Sequence, residues 1–585
     1  MHSDLVVDSR VDDPPLDGVA LTGGDCSKAD AICVAHLAAL GARRSGGGSL
    51  RVDGTSVDIG WRDGSGRALD EVTAQAAYGL MAVHGRPTGG PVRLGVDYVS
   101  TVAGVMAAQG VLAAALAGLR GPRPTAVSVS VAGTALLAVS QYLAAGSVHD
   151  GEETGEVAGP GVPPPFVSAD GVVFEVETLD PEPWRRWWTA LGADAREVAR
   201  GWRAFVLRYA TATAPLPPTL HEITRRSTFA DLCAAAQAAG VAVQEVRGLA
   251  QRRRDAGPDG RFGVPWQITA TVPAGPLPPL PSGGLPLQGL RVVEAGRRVQ
   301  GPLAGHVLRL LGAEVVRVEP AGGDPLRGMP PMVGDCSARF LALNRGKRIV
   351  EVDLRSAAGR ATVRDLVDTA DVFLHNWAPG KAAELGLDSG DFVDRNPGLV
   401  YAYASGWGDA RGADAPPGTD FIAQAYVGLG EQLRPVGQPP AGSLMTLLDV
   451  LGGLVCAEGV LAGLVARQRN RHGQYVQTSL LSAAGVLQSP LPSARPAWGR
   501  WDLPVSAVDG HVMIAAGSDR AAVEAALGDP AALTVAEAVA RLTAVGVTAV
   551  RVCPEPGELP DDPAAAGLIE VDGCAFVRPP WRFNA

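Results

Sequence analysis

Residues 418–453 read GTDFIAQAYVGLGEQLRPVGQPPAGSLMTLLDVLGG, and this stretch organises the chain. A polar pair, Thr419-Asp420, opens a short apolar run that ends at Gly428. A Pro/Gly-rich loop follows. Asp449 then stands at the head of a long apolar helical pattern, VLGGLVCAEGVLAGLVAR. A carboxylate at a helix N-terminus meets orphan backbone N–H groups and the positive end of the macrodipole, which favour its ionised form. Such a residue can simply be an N-cap. It can also be a covalent nucleophile, because an ionised, held carboxylate attacks acyl carbons.

The same stretch occurs twice. With a shift of 349 positions, residues 69–104 (LDEVTAQAAYGLMAVHGRPTGGPVRLGVDYVSTVAG) fall on 418–453 without a gap. Gln75 meets Gln424, Gly79 meets Gly428, Pro91 meets Pro440 and Gly104 meets Gly453. Gly and Pro rarely hold register by chance over so long a run, so an internal duplication is expected. In this register Glu71 matches Asp420 and Ser100 matches Asp449, so the first copy has a serine where the second has the candidate nucleophile.

Working outward, the second copy alternates strands and helices: 290–293, 303–311, 313–318, 347–352, 358–370 and 372–374. That alternation predicts an α/β fold with a doubly wound parallel sheet. Ligands of such sheets bind beyond the carboxyl ends of the strands. Three loops should lie there, 296–302, 319–327 and 376–381. The first copy starts with a fainter strand–loop–helix over 18–43 and shows little patterning until Leu69, so it should lack the middle of the unit. Each copy should close with a small α+β unit, opened by the hairpins near 167–173 and 505–512. The expected division is 1–160 and 161–272 for the first copy, a Pro/Gly-rich linker at 273–287, then 288–500 and 501–585 for the second. A second linker is expected at 155–165.

Composition narrows the function. The chain has 585 residues, 46% of them hydrophobic, and a net charge of −10 with no basic block, which argues against nucleic-acid binding. Its seven Cys form no CxxC or zinc-spaced cluster, so no metal is expected, and their scatter suits a reducing cytoplasm. The N-terminus has no signal-peptide core. The run 101–119 reaches membrane-spanning length, but its Ala/Gly content and Gln109 indicate a buried helix instead. No GxGxxG, GxxxxGK[ST] or GxSxG motif occurs, which removes support for nicotinamide, P-loop and serine-hydrolase readings.

Taken in order, LQGLRVVEAG, GAEVVRVEPAGGDPLR, LNRGKRIVEVDL, DVFLHNWAPG, NPGLVYAYASGWG, GTDFIAQAYVG, LLDVLGG and the closing PPWRF resemble the class III CoA-transferases of CaiB/BaiF type. That family includes formyl-CoA and carnitine CoA-transferases and α-methylacyl-CoA racemase. The resemblance covers about 288–585, and the first 280 residues resemble an eroded second copy. It implies interlocked subunits, here an intramolecular pseudo-dimer, with further homodimerisation open. It also implies an acyl-CoA substrate, a carboxylic-acid acceptor, and a nucleophilic aspartate matching Asp449 that passes through a mixed anhydride and an aspartyl-CoA thioester. CoA contacts map onto Val299, Gln300, Gly301, Asn344, Arg345, Lys347, Arg348, Asn376 and Trp377, with Lys381 nearby. Asp420 and Thr419 join Asp449 as candidate catalytic residues. The chain departs from the family in three places. Thr419 stands where the racemases carry a histidine, which disfavours two-base racemisation. Ala378 and Glu384 stand where basic residues are frequent. The segment 481–504 is short and lacks the Gly-rich loop that covers the nucleophile in formyl-CoA transferase. Isomerase, racemase, lyase or dehydratase chemistry, and a non-catalytic acyl-CoA binder, remain as alternatives.

Overall fold

A computed structural model describes residues 14–24, 27–148, 161–256, 262–408, 411 and 415–584. Its larger sheet has seven strands in the order Arg348–Glu351, Glu314–Glu319, Arg291–Ala295, Val372–His375, Val400–Ser405, His472–Ser479, Trp266–Pro273. The first six run parallel and the last is antiparallel. The central strands are mostly apolar, as strands covered on both faces tend to be, and the charges they bury, Glu294, Arg317 and Glu319, are paired with one another. Helices Gln300–Leu310 and Ala357–Val367 supply crossovers.

The first copy carries a six-stranded mixed sheet in the order Arg43–Arg44, Ala20–Thr22, Arg51–Val52, Thr55–Gly60, Ala126–Ser130, Trp581–Asn584. The region 43–68, expected to be bare, holds three of these strands. They are two to six residues long, too short to show a clear period-2 pattern in sequence.

The two copies exchange their last strands. Trp266–Pro273, which closes the first copy, pairs with His472–Ser479 of the second. Trp581–Asn584, which closes the second copy, pairs with Ala126–Ser130 of the first. Residue 272 is therefore no boundary between free-standing units. The 273–287 segment is held as well: Arg120 donates to the carbonyls of Pro278, Pro286 and Gln288, each at 2.8 Å. The expected linker at 155–165 lies partly outside the described residues.

Two long helices, Tyr98–Arg120 and Leu447–Asn470, cross at the centre. Their mean hydropathies, 1.9 and 1.8, and their lengths would suffice to cross a membrane, yet 83% and 94% of the most apolar windows are buried inside the protein. An all-round apolar helix is what a core-spanning position requires. The Tyr98 hydroxyl donates to the Leu447 carbonyl at 2.8 Å, between residues related by the repeat offset of 349. Each long helix also packs closely on the first helix of its own copy. A Cβ at Gly453 would lie 2.7 Å from the Gln300 carbonyl, and one at Gly104 would lie 2.7 Å from the Ala29 carbonyl. Glycine at both positions lets the helices close, and in the second copy this sets Asp449 near the 296–300 loop.

The small units are exchanged in the same way. The sheet Phe166–Val167, Val173–Glu177, Ala242–Glu245 of the first copy, cored by Trp184, Trp187, Trp188 and Phe205, packs on helix Asp420–Tyr426 of the second. The sheet Val505–Ala507, Gly510–Ile514, Ala549–Arg551 of the second copy packs on helix Glu71–Ala77 of the first.

Candidate active site

A cleft of about 1260 Å³ opens at the carboxyl ends of the parallel strands. Its walls come from the three loops expected there, and also from 352–355, 404–408 and 415–419. Asp449 lies at its floor, together with Arg298, Gln300 and Thr419. Ligand clefts at this end of a parallel sheet collect the loops that follow successive strands.

Asp449 is not the helix cap. The N-cap is Thr446, and Asp449 occupies the third position of the first turn. The cap is supplied from a distance. Asp420, 2% exposed, accepts the Asp449 N–H at 2.7 Å on Oδ2 and also engages the Leu448 N–H. Its other oxygen accepts from Gln424 Nε2. Gln424 is held in turn by the Ser443 N–H at 2.9 Å and the Ser443 carbonyl at 3.0 Å. With the helix end satisfied by Asp420, the Asp449 carboxylate accepts no hydrogen bond from the described residues and stays available to the cleft.

The electrostatics separate the two acids. Burial, then the neighbouring Asp449, push Asp420 well above the usual carboxylate range, against the hydrogen bonds that favour its charge. Burial also pushes Asp449 up, to about 6, with Arg298 opposing and Glu177 adding to the rise. Two desolvated carboxyls this close do not both ionise readily. Above about pH 6 the negative charge therefore rests on Asp449, poorly solvated and so reactive.

The first copy closes one side. The Thr419 hydroxyl donates to Glu177 Oε2 at 2.7 Å. Glu177 pairs with the buried Arg208 at 3.2 Å, whose guanidinium lies over Phe205 at 3.6 Å and Phe421 at 4.5 Å. Burial raises Glu175, on the same strand, to about 8. Arg298, at a left-handed φ of 60°, lies 4.9 Å over the ring of Tyr209 from the first copy. Glu177, Arg208, Arg298 and Arg355 were not singled out by sequence reasoning. The adjacent Arg297-Arg298 pair inside the 296–302 loop was the available signal for Arg298; the pairing of Glu177 with Thr419 spans 242 residues and leaves no local trace.

Of the residues expected to contact CoA, Gln300, Asn376, Trp377 and Lys381 line the cleft. Asn376 clamps the backbone of Arg297 through both amide atoms, at 2.9 and 3.1 Å, so it shapes the loop. Lys381 pairs with Glu384 at 2.7 Å. Val299 is fully buried as the N-cap of helix Gln300–Leu310, and Gly301 is packed against Asn376.

The NRGKR segment is elsewhere. Lys347 is buried, bonded to Glu294 at 2.6 Å, to the Pro302 carbonyl at 2.7 Å and to Asn344 at 3.0 Å. Arg345 pairs with Glu570 and Asp572, and Arg348 faces Glu314. The physical reason is directional: this turn precedes the strand Arg348–Glu351, so it lies at the amino end of the sheet. The residues after that strand, Val352 to Arg355, reach the cleft, where Arg297, Arg298, Arg355 and Arg360 supply positive charge. Among the described residues no group of three His, Cys, Asp or Glu side chains is placed to hold a metal.

The family model for CoA-transferase family III matches residues 60–259 and 287–544, one segment in each copy. The chain belongs to CoA-transferase family III. Among proteins similar to it, a probable fatty acyl-CoA transferase of Mycobacterium tuberculosis is 38% identical over 212 residues, 35% of this chain and 52% of that protein. The succinate–glutarate CoA-transferase of Agrobacterium fabrum is 33% identical over 263 residues, 41% of this chain and 65% of that protein. The chain thus spans about half to two thirds of the length of these relatives. A crystal structure of a CaiB/BaiF family protein from Brucella suis aligns with a TM-score of 0.47 and 27% identity, over 51% of this chain and 93% of that one. The family's signature loops and the cleft around Asp449 occupy the same, second copy.

Proposed function

We propose that the protein transfers CoA from an acyl-CoA to a carboxylic acid, with Asp449 as the covalent nucleophile. The observation that carries this is the Asp449 carboxylate, which accepts no hydrogen bond from the described residues and lines a cleft rich in cations while Asp420 caps its helix in its place. In the first step an Asp449 oxygen attacks the thioester carbonyl; the C–S bond breaks and CoA leaves as thiolate, giving an acyl–aspartyl anhydride. The thiolate then attacks the aspartyl carbonyl and releases the donor's carboxylate, leaving an aspartyl-CoA thioester. The acceptor carboxylate attacks that thioester and frees the thiolate again. The thiolate attacks the acceptor carbonyl of the new anhydride and regenerates Asp449. Every step is an acyl substitution, so no redox partner or metal enters the balance. One demanding exchange becomes a series of easier ones.

Arg297, Arg298 and Arg355 suit the phosphates of CoA, because guanidinium forks match phosphate oxygens. They stand in for the basic residues missing at Ala378 and Glu384. Trp377 offers a face for adenine. Thr419 has its hydroxyl committed to Glu177 and does not exchange a proton near neutral pH, which speaks against racemisation. We read the exchanged strands and small units as a pseudo-dimer within one chain, with one reactive site.

Intact-mass analysis after incubation with a mixed acyl-CoA panel tests the reading. Wild type should gain an acyl or CoA mass that hydroxylamine removes, and Asp449→Ala should gain none. An unmodified wild type that still binds CoA and exchanges substrate α-protons with deuterated solvent would replace transfer by isomerase chemistry.

A further inference from the structure

A second cavity, of about 650 Å³, lies at the opposite end of the large sheet from Asp449. It sits at the amino ends of the strands Glu314–Glu319 and Arg348–Glu351, at the seam between the copies. Leu137 comes from the first copy, Leu285 from the connecting segment, Leu310 from the first helix of the second copy, and Val577 from its last hairpin.

Beside the carboxylates of Glu314 and Glu570, four arginines line it: Arg309, Arg345, Arg348 and Arg578. In a chain of net charge −10 this is an unusual concentration. Two are engaged, Arg345 with Glu570 and Asp572 at 3.0 and 2.9 Å, and Arg348 with Glu314 at 3.9 Å. The other two have spare donors. The Arg309 side chain makes no hydrogen bond or ion pair with any described residue, and its guanidinium lies against the backbone at Gly346, where an added Cβ would be 2.1 Å away. Arg578 donates only through Nε, at 3.4 Å, to the Ile569 carbonyl. Beside them His306, 6% exposed, forms part of the wall with its buried Nδ1 unpartnered. Burial and the neighbouring Arg345 hold Arg309 below its ordinary pKa, the mark of a cation short of a counter-charge.

We propose that this cavity binds an amphipathic monoanion, a medium-chain carboxylate, at a site separate from the Asp449 cleft. The spare N–H donors of Arg309 and Arg578 suit an oxyanion head. Leu137, Leu285, Leu310 and Val577 form the surface for its apolar body, and Leu285, 49% exposed, is an apolar side chain that such a body would cover. The volume lies within the range of small-molecule pockets, a few hundred to ~1,000 Å³. The inference does not depend on Asp449 being a nucleophile.

The test is calorimetric titration of decanoate into the full chain, with saturating CoA present to fill the Asp449 cleft. Wild type and Asp449→Asn should each bind one decanoate. Arg309→Met, at a half-buried site, and Leu285→Asp, at an exposed one, should bind about tenfold more weakly or worse, with unchanged melting temperatures. No saturable binding, equal binding in the variants and wild type, or displacement by CoA would overturn the proposal. Inorganic phosphate binding as tightly as decanoate would overturn the apolar half of it.

Discussion

The same device is built twice, and only one copy leaves an acid free. In the first copy Glu71 accepts the N–H groups of Val99 at 2.9 Å and Ser100 at 2.7 Å, so it caps the helix Tyr98–Arg120 from outside. Gln75 holds Glu71 at 2.8 Å and accepts the Leu94 N–H at 3.0 Å. In the second copy Asp420, Gln424 and Ser443 repeat this set at the offset of 349, on the helix Leu447–Asn470. The acid is freed by the change at the third position of the long helix, Ser100 in one copy and Asp449 in the other. Ser100 turns its hydroxyl back onto Glu71 at 2.7 Å and closes the network on itself. Asp449 makes no such bond: the Asp420 oxygens are taken up by Gln424 and the Asp449 N–H, and the Asp449 side chain lines the cleft. The scaffold that positions the free carboxylate is thus distinct from the carboxylate itself, and the first copy keeps the scaffold alone.

The largest effect should come from removing the free acid. Asp449→Ala should lower kcat about 10⁴-fold or more, since loss of a covalent nucleophile typically costs that much. Ser100→Asp should not create a second adduct in the same intact-mass assay, because apart from Leu179 the residues that line the cleft all come from the second copy. A second adduct on Ser100→Asp would show that the first copy retains a substrate site.

The caps should divide stability from activity. Asp420→Ala and Glu71→Ala each strand two helix-terminal N–H groups, at a cost of about 1–3 kcal/mol in urea unfolding. Only Asp420→Ala should also lose turnover, by about 10- to 100-fold, because only there does the cap position a reacting group. Equal losses of turnover would mean that the two halves work as one unit.

These pairings explain what was legible in the sequence. The repeat was readable because Gly and Pro mark backbone requirements that survive side-chain change. The loops at the carboxyl ends were readable from strand–helix alternation. The NRGKR turn is not part of the cleft lining, and a basic segment looks alike at either end of a strand; only strand direction distinguishes a cleft residue such as Arg355 from Lys347, buried against Glu294. The Asp449 helix start was read locally, whereas its cap, Asp420, comes from 29 residues away. Glu177 and Arg208 were invisible because the small unit of one copy serves the other.

Asp449 should also reveal itself by pH. Its folded pKa, about 6, lies above the ordinary carboxylate value, so the charged form is destabilised by folding. The group therefore adds stability only while protonated, and that contribution fades as pH rises from the unfolded value through about 6. Asp449→Asn should be more stable than wild type by about 1–3 kcal/mol at pH 7.5 and no different at pH 4. Activity should run the other way, with kcat/KM falling as pH drops through about 6 and Asp449 protonates.

The smallest and sharpest change concerns Arg298, the cation that opposes this rise. Arg298→Met keeps the stem over Tyr209 but removes the charge. The acidic limb of the pH profile should then move upward, by about half a unit to one unit, as expected for losing one partly solvated neighbour. Arg298→Lys should restore most of it. A limb that stays in place in Arg298→Met, with kcat/KM lowered equally at all pH values, would mean that Arg298 serves only to grip the substrate. The asymmetry of charge between the copies would then rest on Asp449 and Asp420 alone.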